Sequence, residues 1–222
     1  MSFFMMDKEF KDMVYEGLSK MLKAIANANR IEVIEILSQG EKSVEGIVQA
    51  TGMTIANASQ HLQVLKNNNI VKTRKDGHFV YYSLIGNEFL ALHQHITRYA
   101  VNEIAELGKM VNRQRLVNDS QHAVNFDELE LMIGEQNVLL VDVRPADEFA
   151  SGHITGALSI PLEVLVTRLK DLTNENEIVA YCRGPFCMLA DEAVKLLKEN
   201  GYKARRLDGN YPEWKLRQLQ LS

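Results

Sequence analysis

The sequence predicts two domains: a mainly α domain carrying a β-hairpin, followed by an α/β domain built on a parallel sheet. Three observations support this. The 222 residues exceed the usual single-domain size of about 100–150 and suffice for two modest cores. The first half shows helical periodicities around one strong hairpin signal, whereas the second alternates apolar strands with helices. Charge divides in the same way: residues 1–117 hold 14 Lys and Arg against 12 Asp and Glu, residues 118–222 hold 11 against 17. The first half is the better partner for a polyanion, although so small a surplus needs a motif to give it meaning.

Phe10, Val14, Leu18, Met21 and Ile25 recur at spacings of three and four, the pattern of an amphipathic helix. Residues 29–37 form a second helix that stops near Gly40. Ser43 caps a short third helix ending at Thr51-Gly52, and Thr54 caps a fourth over 55–67. Alternating runs at 70–75 and 79–84 flank Asp76-Gly77, where both residues tolerate positive φ, so a hairpin follows the helices. From 87 to 115 the residues Phe89, Leu92, Ile96, Ala100, Ile104, Leu107 and Val111 form one stripe along a long helix. So small a domain cannot cover that stripe, which predicts a two-fold homodimer. Residues 118–125 are polar and read as a linker, giving domains 1–117 and 126–222. In the second domain, strands are expected at 138–143, 158–160 and 177–181, with helices at 126–133, 146–151, 162–169 and 189–200.

Composition excludes other classes. With 46% hydrophobic and 24% charged residues, and no apolar run near the roughly 18 residues a membrane span needs, no membrane association is expected. The N-terminus shows no basic leader or cleavage site, which places the expectation in the cytoplasm. Two cysteines within six residues of each other point to chemistry rather than to a disulfide scaffold.

Two helices across a tight turn, then a hairpin, make a winged helix-turn-helix, in which the second helix enters the major groove and a basic wing grips phosphates. With Ala58, Leu62 and Leu65 facing the core, Asn57, Gln60 and His61 point outward, and Thr54 and Ser59 sit near the helix N-terminus. Asn and Gln pair bidentately with adenine, and Ser or Thr bonds base edges or phosphates. Lys72, Arg74, Lys75 and His78 supply the positive charge of the wing. The runs A-I-A-N-A-N-R-I-E-V-I-E-I-L (24–37), T-G-M-T-I-A-N-A-S-Q-H-L-Q-V-L-K (51–66) and R-K-D-G-H-F-V-Y-Y-S-L (74–84) resemble the ArsR family of winged-helix repressors. The resemblance covers about residues 10–115 and implies operator DNA as partner, with the first and last helices forming the dimer. Many members carry a Cys-Val-Cys metal box where this chain has Lys42-Ser43-Val44-Glu45. His93 and His95, two apart, face different sides of a helix, so neither a metal nor any other cofactor is expected.

Y-C-R-G-P-F-C-M-L-A-D-E-A (181–193) lies between an apolar strand and a helix, where loop N–H groups and the helix N-terminus favour a thiolate. The runs V-D-V-R-P-A-D-E-F-A-S-G-H-I-T-G-A-L-S-I-P (141–161) and L-D-G-N-Y-P-E-W (207–214) closely resemble the rhodanese domain, with Asn210 where a second Gly is common. That resemblance implies a persulfide on Cys182. Asp142, Arg144, Glu148 and His153 are expected to brace the loop through charge-assisted bonds. The loop itself, with Gly184, Pro185 and Phe186, departs from the family's C-x-x-G-x-R: Pro185 replaces the Gly and Cys187 the Arg. Loss of one N–H and of the Arg disfavours fast thiosulfate turnover, with Arg183 a candidate replacement charge. Cys187 reads as a resolving thiol that displaces sulfide from a Cys182 persulfide and leaves a disulfide. Phosphatase chemistry is disfavoured, since the only Arg of the loop is Arg183.

The combined expectation is a winged helix-turn-helix regulator, a repressor, fused to a rhodanese-like domain that accepts sulfur from thiosulfate, a persulfide or a polysulfide and senses reactive sulfur or redox state. Two alternatives use the same loop: a sulfurtransferase enzyme targeted to DNA, and an arsenite sensor that binds through Cys182 and Cys187.

Overall fold

The computed structural model describes residues 3–117, 123–172 and 176–221. The chain divides into two compact units, Met1–Phe89 and Leu90–Ser222.

In the first unit α1 (Phe3–Ile25) leads to α2 (Ala28–Ser38), whose N-terminus is capped by the Asn27 side chain accepting from the Arg30 N–H. A two-residue strand, β1 (Lys42–Ser43), precedes α3 (Val44–Thr51), and Ser43 Oγ accepts from the Gly46 N–H at 3.1 Å. Gly52 ends α3 at φ 71°, a left-handed conformation open to glycine without penalty. Two residues on, Thr54 Oγ1 accepts from the Asn57 N–H and starts α4 (Ile55–Asn67). The hairpin of β2 (Val71–Asp76) and β3 (Phe79–Leu84) is joined by β1 in an antiparallel sheet of order β1-β3-β2. β1 is too short to show an alternation, so periodicity passes over it. At the hairpin tip Asp76 stays in the strand, paired with Phe79, and Gly77 takes the positive φ at 58°. The turn is therefore Gly77-His78, one residue later than the sequence suggested. Ile34, Leu37, Ile47, Leu62 and Leu65 form the core, each burial contributing about 1.5–3 kcal/mol.

The second helical stripe does not run as one helix: α5 (Asn87–Glu103) and α6 (Ala105–Val117) meet at Ile104. A Cβ on Gly108 would stand 2.7 Å from the Val101 carbonyl oxygen, so the glycine permits an approach that bends the chain. Apolar spacing carries no trace of that. Of the expected linker, residues 118–122 lie outside the described residues. Val124 then bridges to Leu207, and Asn125 caps α7 (Phe126–Gly134).

The α/β sheet consists of β4 (Val138–Asp142), β5 (Leu158–Ser159), β6 (Glu177–Cys182) and β7 (Ala204–Asn210), all parallel in the order β5-β4-β6-β7. Around it lie α8 (Ala146–Ser151), α9 (Leu165–Arg168) between two single 3₁₀ turns, α10 (Leu189–Glu199) and α11 (Tyr211–Leu221). Strand alternation splits β6 between two cores: Ile178, Ala180 and Cys182 pack with Ala193 and Leu197 of α10, whereas Val179 and Tyr181 pack with Leu129, Leu207 and Trp214. β7 and α11 were not legible as elements. The strand A-R-R-L-D-G-N is an edge whose arginines are matched by carboxylates: Arg205 pairs with Glu177 and Glu128, and Arg206 with Asp208 and Asp191.

Candidate functional site: the cysteine loop and the helix-turn-helix face

β6 carries Cys182 to its carboxyl end, where parallel sheets build their sites. The loop folds back at once, with the Cys187 N–H donating to the Gly184 carbonyl at 3.1 Å. No side chain caps α10, since Met188 makes no capping bond. The sulfurs take that place: the Leu189 N–H reaches Cys187 and the Ala190 N–H reaches Cys182, and the loop N–H groups of Arg183 and Gly184 add to them.

The two thiols are not equivalent. Cys182 is 5% exposed and its Sγ donates to the Cys187 carbonyl at 3.3 Å, whereas Cys187 is half-buried. Interaction with the Cys187 side chain, and then burial, push the Cys182 thiol well up. The same interaction lowers Cys187 to about 7 against its own burial, with further help from the N–H groups and the Arg183 charge.

Around the loop, four charged groups are locked in two ion pairs. Arg183 meets Glu148 with two bonds, at 2.6 and 3.0 Å, and Glu148 is fully buried. Its guanidinium is thereby fixed against α8 and contributes a static charge. Asp142 and Arg144 form a fully buried pair at 2.5 Å, and Arg144 also donates to the Gly152 carbonyl at 2.8 Å while lying over the Tyr181 and Tyr211 rings. His153 is exposed, stacks on Phe149 at 3.7 Å and has its Nδ1 3.0 Å from the Phe149 carbonyl; these contacts lie on α8. Gly184 and Pro185 are half-buried, and Phe186 is 51% exposed at the loop tip.

One polar side chain was overlooked as a site residue. Asn210, paired in register with Cys182, is buried; its Oδ1 accepts from the Glu213 N–H, while its Nδ2 has no partner and lies 3.4 Å from where a Cβ on Gly184 would be. Its signal was the departure from glycine in the closing motif.

On the first unit, α4 exposes Thr54, Ser59 and Gln60 and leaves Asn57 half-buried. His61 corrects the sequence expectation: it is 9% exposed and packed inward, its Nε2 accepting from Asn29 Nδ2 at 3.2 Å while Nδ1 finds no partner. Ala58, His61, Leu62 and Leu65 occupy i, i+3, i+4 and i+7, one complete buried stripe, and that spacing outweighs histidine's polarity. Burial, and then the Arg30 charge, lower its pKa. In the wing Lys72, Arg74, Lys75 and His78 are all exposed. Arg74 is engaged, bonding Glu41 at 2.6 Å and Asp76 at 3.1 Å beneath the Tyr81 ring.

Two family models match the chain: bacterial regulatory protein, arsR family, over residues 27–73, and rhodanese-like domain over residues 125–217. The HTH-type transcriptional regulator Rv0324 of Mycobacterium tuberculosis is 36% identical over 93% of this chain and 90% of its own length. The chain belongs to the ArsR family of regulators. This ArsR-family protein is a DNA-binding transcriptional regulator that carries a rhodanese-like domain. It also resembles the Bacillus subtilis protein YqhL, at 32% identity over 52% of this chain and 86% of that one. Among solved structures, the homodimeric winged helix-turn-helix domain Mb0332 of Mycobacterium bovis is 34% identical and covers 40% of this chain and 83% of its own, with a TM-score of 0.40. Among the described residues of the regulator, no helix is long and apolar enough to cross a membrane.

Proposed function

We propose that this regulator is a homodimeric repressor whose operator binding is set by sulfur taken up on the Cys182–Cys187 pair. Thr54, Asn57, Ser59 and Gln60 on α4 read the groove, and Lys72, Arg74, Lys75 and His78 of the wing hold phosphates. In this reading α5 and α6 complete the DNA-binding domain through residue 117. The exposed apolar residues Phe10, Val14 and Leu18 of α1 and Ile96 and Tyr99 of α5 support a second copy as the occupant of those faces. His61 is left out of the DNA contacts.

The observation that carries the sulfur reading is the paired thiols at the uncapped start of α10, one buried and pushed up, the other half-buried and lowered to about 7. A rhodanese-like loop with a single cysteine holds a persulfide; a second thiol in the same loop converts it to a disulfide and so stores the signal in the protein. The donor class is sulfane sulfur in a polysulfide or persulfide. Thiosulfate, a dianion, is the weaker substrate, because Arg183 is committed to Glu148. The test is operator affinity at fixed salt for reduced protein, polysulfide-treated protein and the treated Cys182→Ser variant. A shift on treatment that the variant lacks supports the reading, and equal affinity in all three removes it.

A further inference from the structure

The cysteine aligned with the rhodanese nucleophile is the worse placed of the two to meet a donor. Cys182 faces inward from β6 into the core between the sheet and α10, at 5% exposure, with its S–H spent on the Cys187 carbonyl. Cys187 is only half-buried where it packs against that same core, beside the static charge of Arg183 and at the Leu189 N–H. Cys187 is thus the less buried of the two thiols and the more open to a donor arriving from solvent.

Resting on the sulfur reading above, we infer that Cys187 is the thiol that takes sulfur from the donor and that Cys182 is the thiol that resolves it. The Cys187 thiolate attacks the terminal sulfur of a hydropolysulfide, forming one S–S bond as the donor's S–S bond breaks, and the shortened polysulfide leaves with the electron pair. Cys187 now carries –S–SH. Cys182 then attacks the inner sulfur of that group, the Cys182–Cys187 bond forms, and the outer sulfur departs as hydrosulfide, taking up the Cys182 proton as hydrogen sulfide. The two thiols have together lost two electrons and one donor sulfur atom has gained them, so no other oxidant is needed. The bond from Cys182 Sγ to the Cys187 carbonyl holds the two residues together for the second stage.

The order of events distinguishes the cysteines. In a Cys182→Ser protein the introduced hydroxyl can still donate to Cys187, so brief treatment with sodium tetrasulfide should leave a stable persulfide on Cys187, seen as one added sulfur in the loop peptide. The Cys187→Ser protein should take up sulfur at least about tenfold more slowly, because its remaining thiol is buried. Wild-type protein given limiting iodoacetamide at pH 7, a measurement that needs no variant, should be labelled first on Cys187. Sulfur uptake on Cys182 of the Cys187→Ser protein at the wild-type rate, or first labelling at Cys182, overturns the assignment while leaving sulfur uptake intact. No uptake by wild-type protein, with alkylation of Cys187 preserved, overturns the sulfur reading and the assignment together.

Discussion

At Asp142 and Arg144 both side chains are sealed from solvent, so each charge depends on the other. Removing one strands its partner in the interior. Arg144→Met is therefore expected to cost about 3–5 kcal/mol, measured by denaturant unfolding of the full chain, with Gly152 losing its donor as well. Cys187 behaves differently, since its charge is meant to change. With its pKa lowered to about 7, the thiolate fraction and hence the alkylation rate should rise through that value and level off above it. A midpoint at the ordinary thiol pKa, above 8, would mean that the loop does not stabilise its thiolate. His61 shows where residue-level reading fails: its chemistry suggested DNA, but its position completed the buried stripe of α4. The loop cysteines were legible because their spacing and motif were both unusual, whereas their unequal burial depends on strand phase and on the turn at Gly184.

Helix α4 is held at its start by one side chain. Thr54→Ala removes the acceptor for the Asn57 N–H and is expected to cost about 1 kcal/mol in thermal or denaturant melts, while Thr54→Ser keeps it. On DNA, α4 and the wing should separate cleanly. Gln60→Ala should weaken the preferred operator by about 1–3 kcal/mol and relax one position, whereas Lys72→Ala should weaken all sequences alike and reduce the salt slope by about 1. Both are read by binding titrations at several salt concentrations. The helices of the first unit were legible in the sequence because caps and periodicity agree at each, as at Ser43, Thr54 and Gly52. β7 was hidden because its arginines look like surface until Glu177, Glu128 and Asp191 are seen to meet them. The break between α5 and α6 was hidden because Gly108 acts through backbone approach, which leaves no hydrophobic signature.

For the molecule as a whole, the proposed dimer puts the apolar faces of α1 and α5 out of water. Leu18→Glu, on the exposed face of α1, should shift sedimentation at micromolar concentration from dimer toward monomer with the fold retained by circular dichroism. A monomeric wild-type protein at that concentration would contradict the dimer. Coupling between the cysteine loop and DNA is a free-energy difference, and treated protein can lose operator affinity only as far as the modified state disfavours the bound conformation. Couplings of this kind are commonly about 1–3 kcal/mol, or roughly 5- to 150-fold. The direct test is one titration: wild-type protein, reduced or treated with sodium tetrasulfide, against a duplex that the reduced protein has itself enriched from a random pool, at one fixed salt concentration. Treatment should cost at least about fivefold in affinity, and dithiothreitol should restore it. Identical affinity before and after treatment, with the Cys182–Cys187 disulfide confirmed in the treated sample, would contradict it.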